Sequence, residues 1–125
     1  MTRFLIDADS AIFATTGQIP ALHDRLVEWE PGDIGLSAVT YAEIVLGMER
    51  GKPPTPEALA LFVEVVPILA FDEAAARQYG KLPFKRPRFD RLLAAHALSL
   101  GATVITNNEA DFADVPELQV ENWTR

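Results

Sequence analysis

Met1-Thr-Arg-Phe-Leu-Ile-Asp-Ala-Asp-Ser10 is the stretch on which the reading of the fold turns. Phe4, Leu5 and Ile6 form a short apolar run that predicts a buried strand, and Asp7, Asp9 and Ser10 follow at once. In an open α/β sheet the space beyond a strand's carboxyl end is where ligands sit. Acid placed there against apolar chain is costly unless it is hydrogen-bonded, metal-bound or open to water. A loop that caps the next helix through Asp or Ser explains the same residues without any function. The choice depends on whether further acids return to the same edge.

Downstream, short apolar runs alternate with amphipathic segments. A helix is predicted over 11–15, closed by Gly17. A second starts at Pro20, with Leu22, Leu26 and Trp29 along one side. Glu30-Pro31-Gly32-Asp33 is turn chemistry, and Ile34-Gly35-Leu36 is a strand. Ser37 is placed to cap a helix over 38–50 that Gly51 ends. Tyr41, Ile44, Val45 and Met48 share its apolar side, which leaves Glu43 roughly opposite. Gly47, one turn on, would leave room beside Glu43.

Lys52-Pro53-Pro54-Thr55-Pro56 reads as a rigid connector into a helix over 57–65. A strand over 66–70 follows, with Pro67 fitting its start or a sheet edge. Asp72 caps a helix over 73–79. Asp90 opens a strongly apolar helix stopped by Gly101, and N-capping is its plain explanation. The segment 103–106 is the clearest later strand, 107–111 a turn or short helix, and 118–120 a last strand. This alternation predicts α/β architecture: one mainly parallel sheet of four or five short strands with helices on both faces.

The 125 residues make one domain, 1–125, large enough for a real core. Cysteine is absent, which rules out disulfides and thiolate metal sites and fits a reducing cytoplasm. No run approaches a membrane span, and the N-terminus lacks a signal peptide's apolar core, so a soluble cytoplasmic protein is expected. The net charge of −7 argues against binding nucleic acid through the overall field. Distribution matters more than the sum. Arg77, Lys81, Lys85, Arg86, Arg88 and Arg91 are six of the eleven basic residues, with Asp90 the only acid among them. Such a strip suits an anionic partner engaged at one place, with Lys81, Lys85, Arg86, Arg88 and Arg91 as its candidate contacts. An ordinary solvated loop would read the same way.

Four acids now stand near element ends. Asp7 follows the first strand, Glu43 lies on the helix after the second, Asp90 opens the long apolar helix, and Asp111 follows the late strand. Right-handed crossovers bring the ends of parallel strands to one edge. Clustered carboxylates either hold protons or are neutralised by a cation. Oxygen donors without Cys or paired His suit Mg²⁺ or Mn²⁺. Such ions bridge phosphate oxygens and activate water, so acids beside a cationic strip make a coherent phosphodiester-cleaving site. His96, mid-helix among alanines and leucines, reads as structural. Trp29 and Trp123 read as packing residues, and there is no Gly-rich phosphate loop, serine triad or His-based metal motif.

In order and spacing, the chain resembles the PIN-domain ribonucleases, in particular the VapC-type toxins of bacterial toxin–antitoxin pairs. The resemblance is carried by Phe4-Leu-Ile-Asp7, by Ser37-Ala-Val-Thr-Tyr-Ala-Glu43-Ile-Val-Leu-Gly47, and by Phe71-Asp-Glu-Ala-Ala-Ala. It continues through Asp90-Arg-Leu-Leu-Ala-Ala-His-Ala-Leu-Ser-Leu-Gly101-Ala, Val104-Ile-Thr-Asn-Asn108-Glu-Ala-Asp111-Phe112 and Val120-Glu-Asn-Trp123. It implies a PIN-like three-layer α/β/α sandwich and a metal-dependent endoribonuclease that cuts structured RNA such as tRNA or ribosomal RNA. Asp7, Glu43 and Asp90 would hold Mg²⁺ or Mn²⁺, Asp111 would be the fourth acid, and Asp9, Thr106 and Asn108 would support them. Toxins of this kind are usually homodimers silenced by a cognate antitoxin, which places a side chain, often basic, in the acidic pocket.

The chain departs from that family at position 9, often Asn, and in a short segment before Asp90, where relatives often carry Pro-Asn and this chain has Arg88-Phe89. Two alternatives stand beside the toxin. One is a catalytically silent PIN-like module that docks RNA or protein. The other rests on Asp7-Ala-Asp9-Ser10, which resembles the nucleophile motif of haloacid-dehalogenase-type phosphatases but lacks an obvious later lysine.

Overall fold

Strand β1 (Phe4–Ile6) lies at the centre of a parallel sheet in a computed structural model that describes residues 2–83 and 88–125. The other strands are β2 (Ile34–Ser37), β3 (Ile68–Leu69), β4 (Thr103–Ile105) and β5 (Val120–Glu121), in the order β3-β2-β1-β4-β5. Every pairing is parallel, with Phe4 opposite Ile34 on one side and opposite Thr103 on the other. The chain runs outward from β1 to β3 and then crosses back to β1's other flank. The carboxyl ends of β1 and β4 therefore border the switch point of the topology, the crevice where such sheets bind ligands.

Alternation along β1 builds three layers. Phe4 and Ile6 face helices α1 (Ala8–Thr16), α2 (Pro20–Leu26), α3 (Ala38–Glu49) and α4 (Pro56–Val65), meeting Ala11, Leu22, Ile44 and Leu59. Leu5 and Val104 face α6 (Phe89–Leu100), meeting Leu93, Ala94 and Ala97, and α5 (Glu73–Tyr79) packs beside α6. At Gly35 a Cβ would stand 2.7 Å from Leu69 Cδ1, so glycine lets β3 close on β2. The edge strands β3 and β5 have two residues each, which leaves little free ladder for another chain to extend.

Several boundaries differ from expectation for identifiable reasons. Helix α1 starts at Ala8 rather than residue 11, because Asp7 itself is its N-cap. Helix α2 ends at Leu26, so Trp29 sits in the turn and packs edge-on against Phe4. The last strand is 120–121, set by pairing with β4. Asp90 is not the cap of α6. Arg88 holds that position without a side-chain bond, and Asp90 lies one step inside the first turn. Gly47 does not make room for the site, since a Cβ there would meet only the Lys52 side chain, at 3.8 Å.

Candidate active site

Asp7 is both a cap and the corner of a pocket. Its Oδ1 accepts from the Ser10 N–H at 2.9 Å, and its Oδ2 accepts from the Thr106 hydroxyl across the β1–β4 crevice. The Asp7 N–H continues the ladder to the Ile105 carbonyl at 2.9 Å, which fixes where the side chain leaves the sheet. Thr106 is buried, and its hydroxyl also accepts from the Asn108 N–H at 2.9 Å. Burial pushes the Asp7 carboxyl above its usual range, while the Thr106 and Ser10 bonds pull the other way and the charge of Asp9 adds to the rise.

Glu43 reaches the same pocket from α3. The apolar stripe of that helix faces the sheet, and the side opposite it turns toward the start of α6. Burial, then Asp90, Asp9 and Asp7, raise Glu43 from the usual 4.5 to about 7. Asp90 comes from the first turn of α6 and is raised by burial and by Asp111, with Arg88, 3.9 Å away, opposing the rise. Asp111 lies on a 3₁₀ turn (Glu109–Phe112) and accepts from Asn108 Nδ2 at 2.6 Å. The pocket these acids line encloses about 40 Å³, with Asp9 and Asn108 on its rim and Phe89, Leu93 and Phe112 as an apolar wall. That space suits an ion or one or two waters.

The PIN-domain profile matches residues 5–118 of the chain. The chain belongs to the PIN-domain family. Its likeness is to the VapC type over its full length. It is 29% identical to the Shigella flexneri protein named tRNA(fMet)-specific endonuclease VapC, covering 99% of this chain and all of that one. A solved structure of DNA-bound VapBC from Salmonella typhimurium is 27% identical, with a TM-score of 0.81 over 98% of this chain and 99% of its counterpart. VapBC2 from Rickettsia felis, at 23% identity and a TM-score of 0.84 over 98% and 99% of the two chains, shares the fold. Membership of this family displaces the dehalogenase-type phosphatase alternative.

The donor set of this PIN domain fits a hard divalent cation, because every polar side chain that lines the pocket is a carboxylate or a carboxamide. Among the described residues, no three His, Asp or Glu side chains stand close enough to form a ready-made cage. Mg²⁺ does not need one, since it keeps several waters and takes one or two carboxylates.

The basic strip does not hold together as one surface. Arg91 is 3% exposed and bonded to Asp114, so it is not available to RNA; a charge run hides a partner that lies 23 residues away. Arg77 pairs along its own helix with Glu73 at 2.7 Å. Lys81 and Arg88 are exposed, and Lys85 and Arg86 lie outside the described residues. His96 is buried, with Nδ1 2.8 Å from Ser37 Oγ and its ring edge-on to Phe71, and burial lowers its pKa. It is structural, as expected, and ties α6 to the β2–α3 junction. Sequence reasoning missed the apolar wall and the Arg91–Asp114 pair. For the wall a signal existed, since Phe89 and Leu93 flank Asp90 at helical spacing.

Proposed function

We propose that this PIN domain is a Mg²⁺- or Mn²⁺-dependent endoribonuclease, the toxin of a type II toxin–antitoxin pair, and that it cuts structured RNA such as tRNA or ribosomal RNA. One observation carries the reading. Carboxylates from four separate places in the fold, Asp7 with Asp9, Glu43, Asp90 and Asp111, line a single small pocket at the switch point of the sheet, and burial and neighbouring acids raise Asp7, Glu43 and Asp90. Such a cluster is relieved by protons or by a cation. Asp7 and Asp90 would hold the ion, with Glu43 and Asp111 completing the set.

A bound divalent ion supplies Lewis acidity toward a phosphate oxygen and lowers the pKa of a water. Thr106 and the Ser10 N–H keep Asp7 aimed and favour its ionised form. Glu43, titrating near neutrality, can take a proton from an attacking water through its carboxylate. Leu93 and Phe112, both buried, keep bulk water from one side, with the exposed Phe89 beside them. The name of the Shigella relative supports a tRNA substrate, and likeness to VapBC assemblies supports a cognate antitoxin partner.

The test is incubation of purified protein with total RNA, with Mn²⁺ or with chelator, beside Asp7→Asn and Asp90→Asn, followed by sequencing of new ends. Cleavage should need the ion and vanish in both variants. Persistent cleavage by folded Asp7→Asn and Asp90→Asn would overturn the assignment. Failure of the wild type to bind Mn²⁺ by calorimetry would favour the silent module.

A further inference from the structure

Arg91 stands next to Asp90 on α6, yet it is almost wholly buried. A guanidinium cannot shed its charge in a protein, and a buried charge is costly unless paired and hydrogen-bonded. Its Nη2 donates to Asp114 Oδ2, while Nε and Nη1 have no hydrogen-bond partner among the described residues. An apolar side chain of similar length would serve packing at this place as well or better. The pair does something else: it joins two elements.

Asp114 lies three residues beyond Asp111, just past the 3₁₀ turn. The two elements joined by Arg91 and Asp114 are thus the two that present Asp90 and Asp111. Those two carboxyls repel when both are ionised, which drives the elements apart. The apolar cluster in which Phe112 and Val115 join Leu93 and Ala94 is non-directional and does not by itself fix the turn's register. An ion pair with a planar donor fork resists sliding.

We infer that Arg91 is a positioning residue, its buried guanidinium clamped to Asp114 so that the turn carrying Asp111 is held in register with Asp90. The role given to those two acids rests on the function proposed above.

The experiment compares wild type with Arg91→Met, Arg91→Lys, Asp114→Asn and Asp90→Asn, by amide hydrogen exchange of metal-free protein and by Mn²⁺ calorimetry. Arg91→Met keeps the stem and removes the buried charge, so it should fold. Exchange over 108–115 should accelerate about tenfold or more while β1 and α3 stay unchanged. Mn²⁺ affinity should fall about tenfold, with Arg91→Lys between Met and wild type. If Arg91→Met does not fold, Asp114→Asn, whose side chain is partly exposed, carries the same expectation. Unchanged exchange at 108–115 in the folded variants, or acceleration spread evenly over the sheet, would overturn the clamp. So would Mn²⁺ affinity in the folded Arg91→Met and Asp114→Asn variants equal to that of a wild type that binds the ion. A wild type that binds no Mn²⁺ defeats the metal reading separately, and exchange then decides the clamp alone.

Discussion

The two ends of β1 are built on opposite principles. At the amino end the Phe4 ring meets Trp29 at 4.8 Å and Trp123 at 4.9 Å, both edge-on, and the two indoles stack at 6.4 Å. Arg25 lies 4.6 Å over Trp123 and Arg3 lies 5.7 Å over Trp29, while Trp123 Nε1 donates to Glu121 at 2.9 Å. These contacts all favour the folded state. At the carboxyl end, three residues beyond Phe4, Asp7 joins Glu43 and Asp90 in a pocket where ionisation is disfavoured. An anchored strand lets charges be kept together that would otherwise separate.

Substitutions at the two ends should therefore move different quantities. The largest effect is expected from Asp7→Asn, which should lower RNA cleavage by roughly 100-fold or more without lowering the melting temperature, because it removes a carboxylate from a crowded site. Loss of stability with activity retained would break the contrast. Phe4→Ala should do the reverse, costing about 3–5 kcal/mol by denaturant unfolding, with cleavage per folded molecule unchanged.

Titration sharpens the comparison at the acidic end. Glu43 is raised in the folded state from 4.5 to about 7, so the folded state holds a proton that the unfolded chain has released. Its contribution is fully present below about pH 4.5, is lost as pH rises to about 7, and is absent above. Urea unfolding of metal-free protein should show that decline, and Glu43→Gln should flatten it. Mn²⁺ competes with the proton, so its affinity should rise over the same window. The smallest effect belongs to neither end. Gly47→Ala on α3 has space for its methyl and should add about 0.5–1 kcal/mol with cleavage unaltered.

The sheet and the four acids were legible in sequence because they rest on local pattern and parallel topology. Apolar runs marked the strands, and right-handed crossovers brought their ends to one edge. Asp7 could not be assigned to cap or site from sequence, and it is both. Helical periodicity gave the side on which Glu43 sits but not what packs there; only tertiary arrangement brings α6 to that side. Arg91 was misread for a similar reason. A basic residue in a basic run looks solvated until its partner, Asp114, arrives from the far side of β4. The apolar wall of Phe89, Leu93 and Phe112 likewise needed the 3₁₀ turn to fold back on α6.

The central claim, that the carboxyl end of β1 is a charge cluster awaiting a divalent ion, is tested most directly by equilibrium unfolding at pH 7.5 with and without Mn²⁺. Wild type at about 100 times its Kd for the ion should gain about 2.7 kcal/mol, since only the folded state assembles the site. Phe4→Ala should start far less stable yet gain the same increment, and Asp7→Asn should gain almost none. An equal gain in Asp7→Asn, or none in wild type, would contradict the claim.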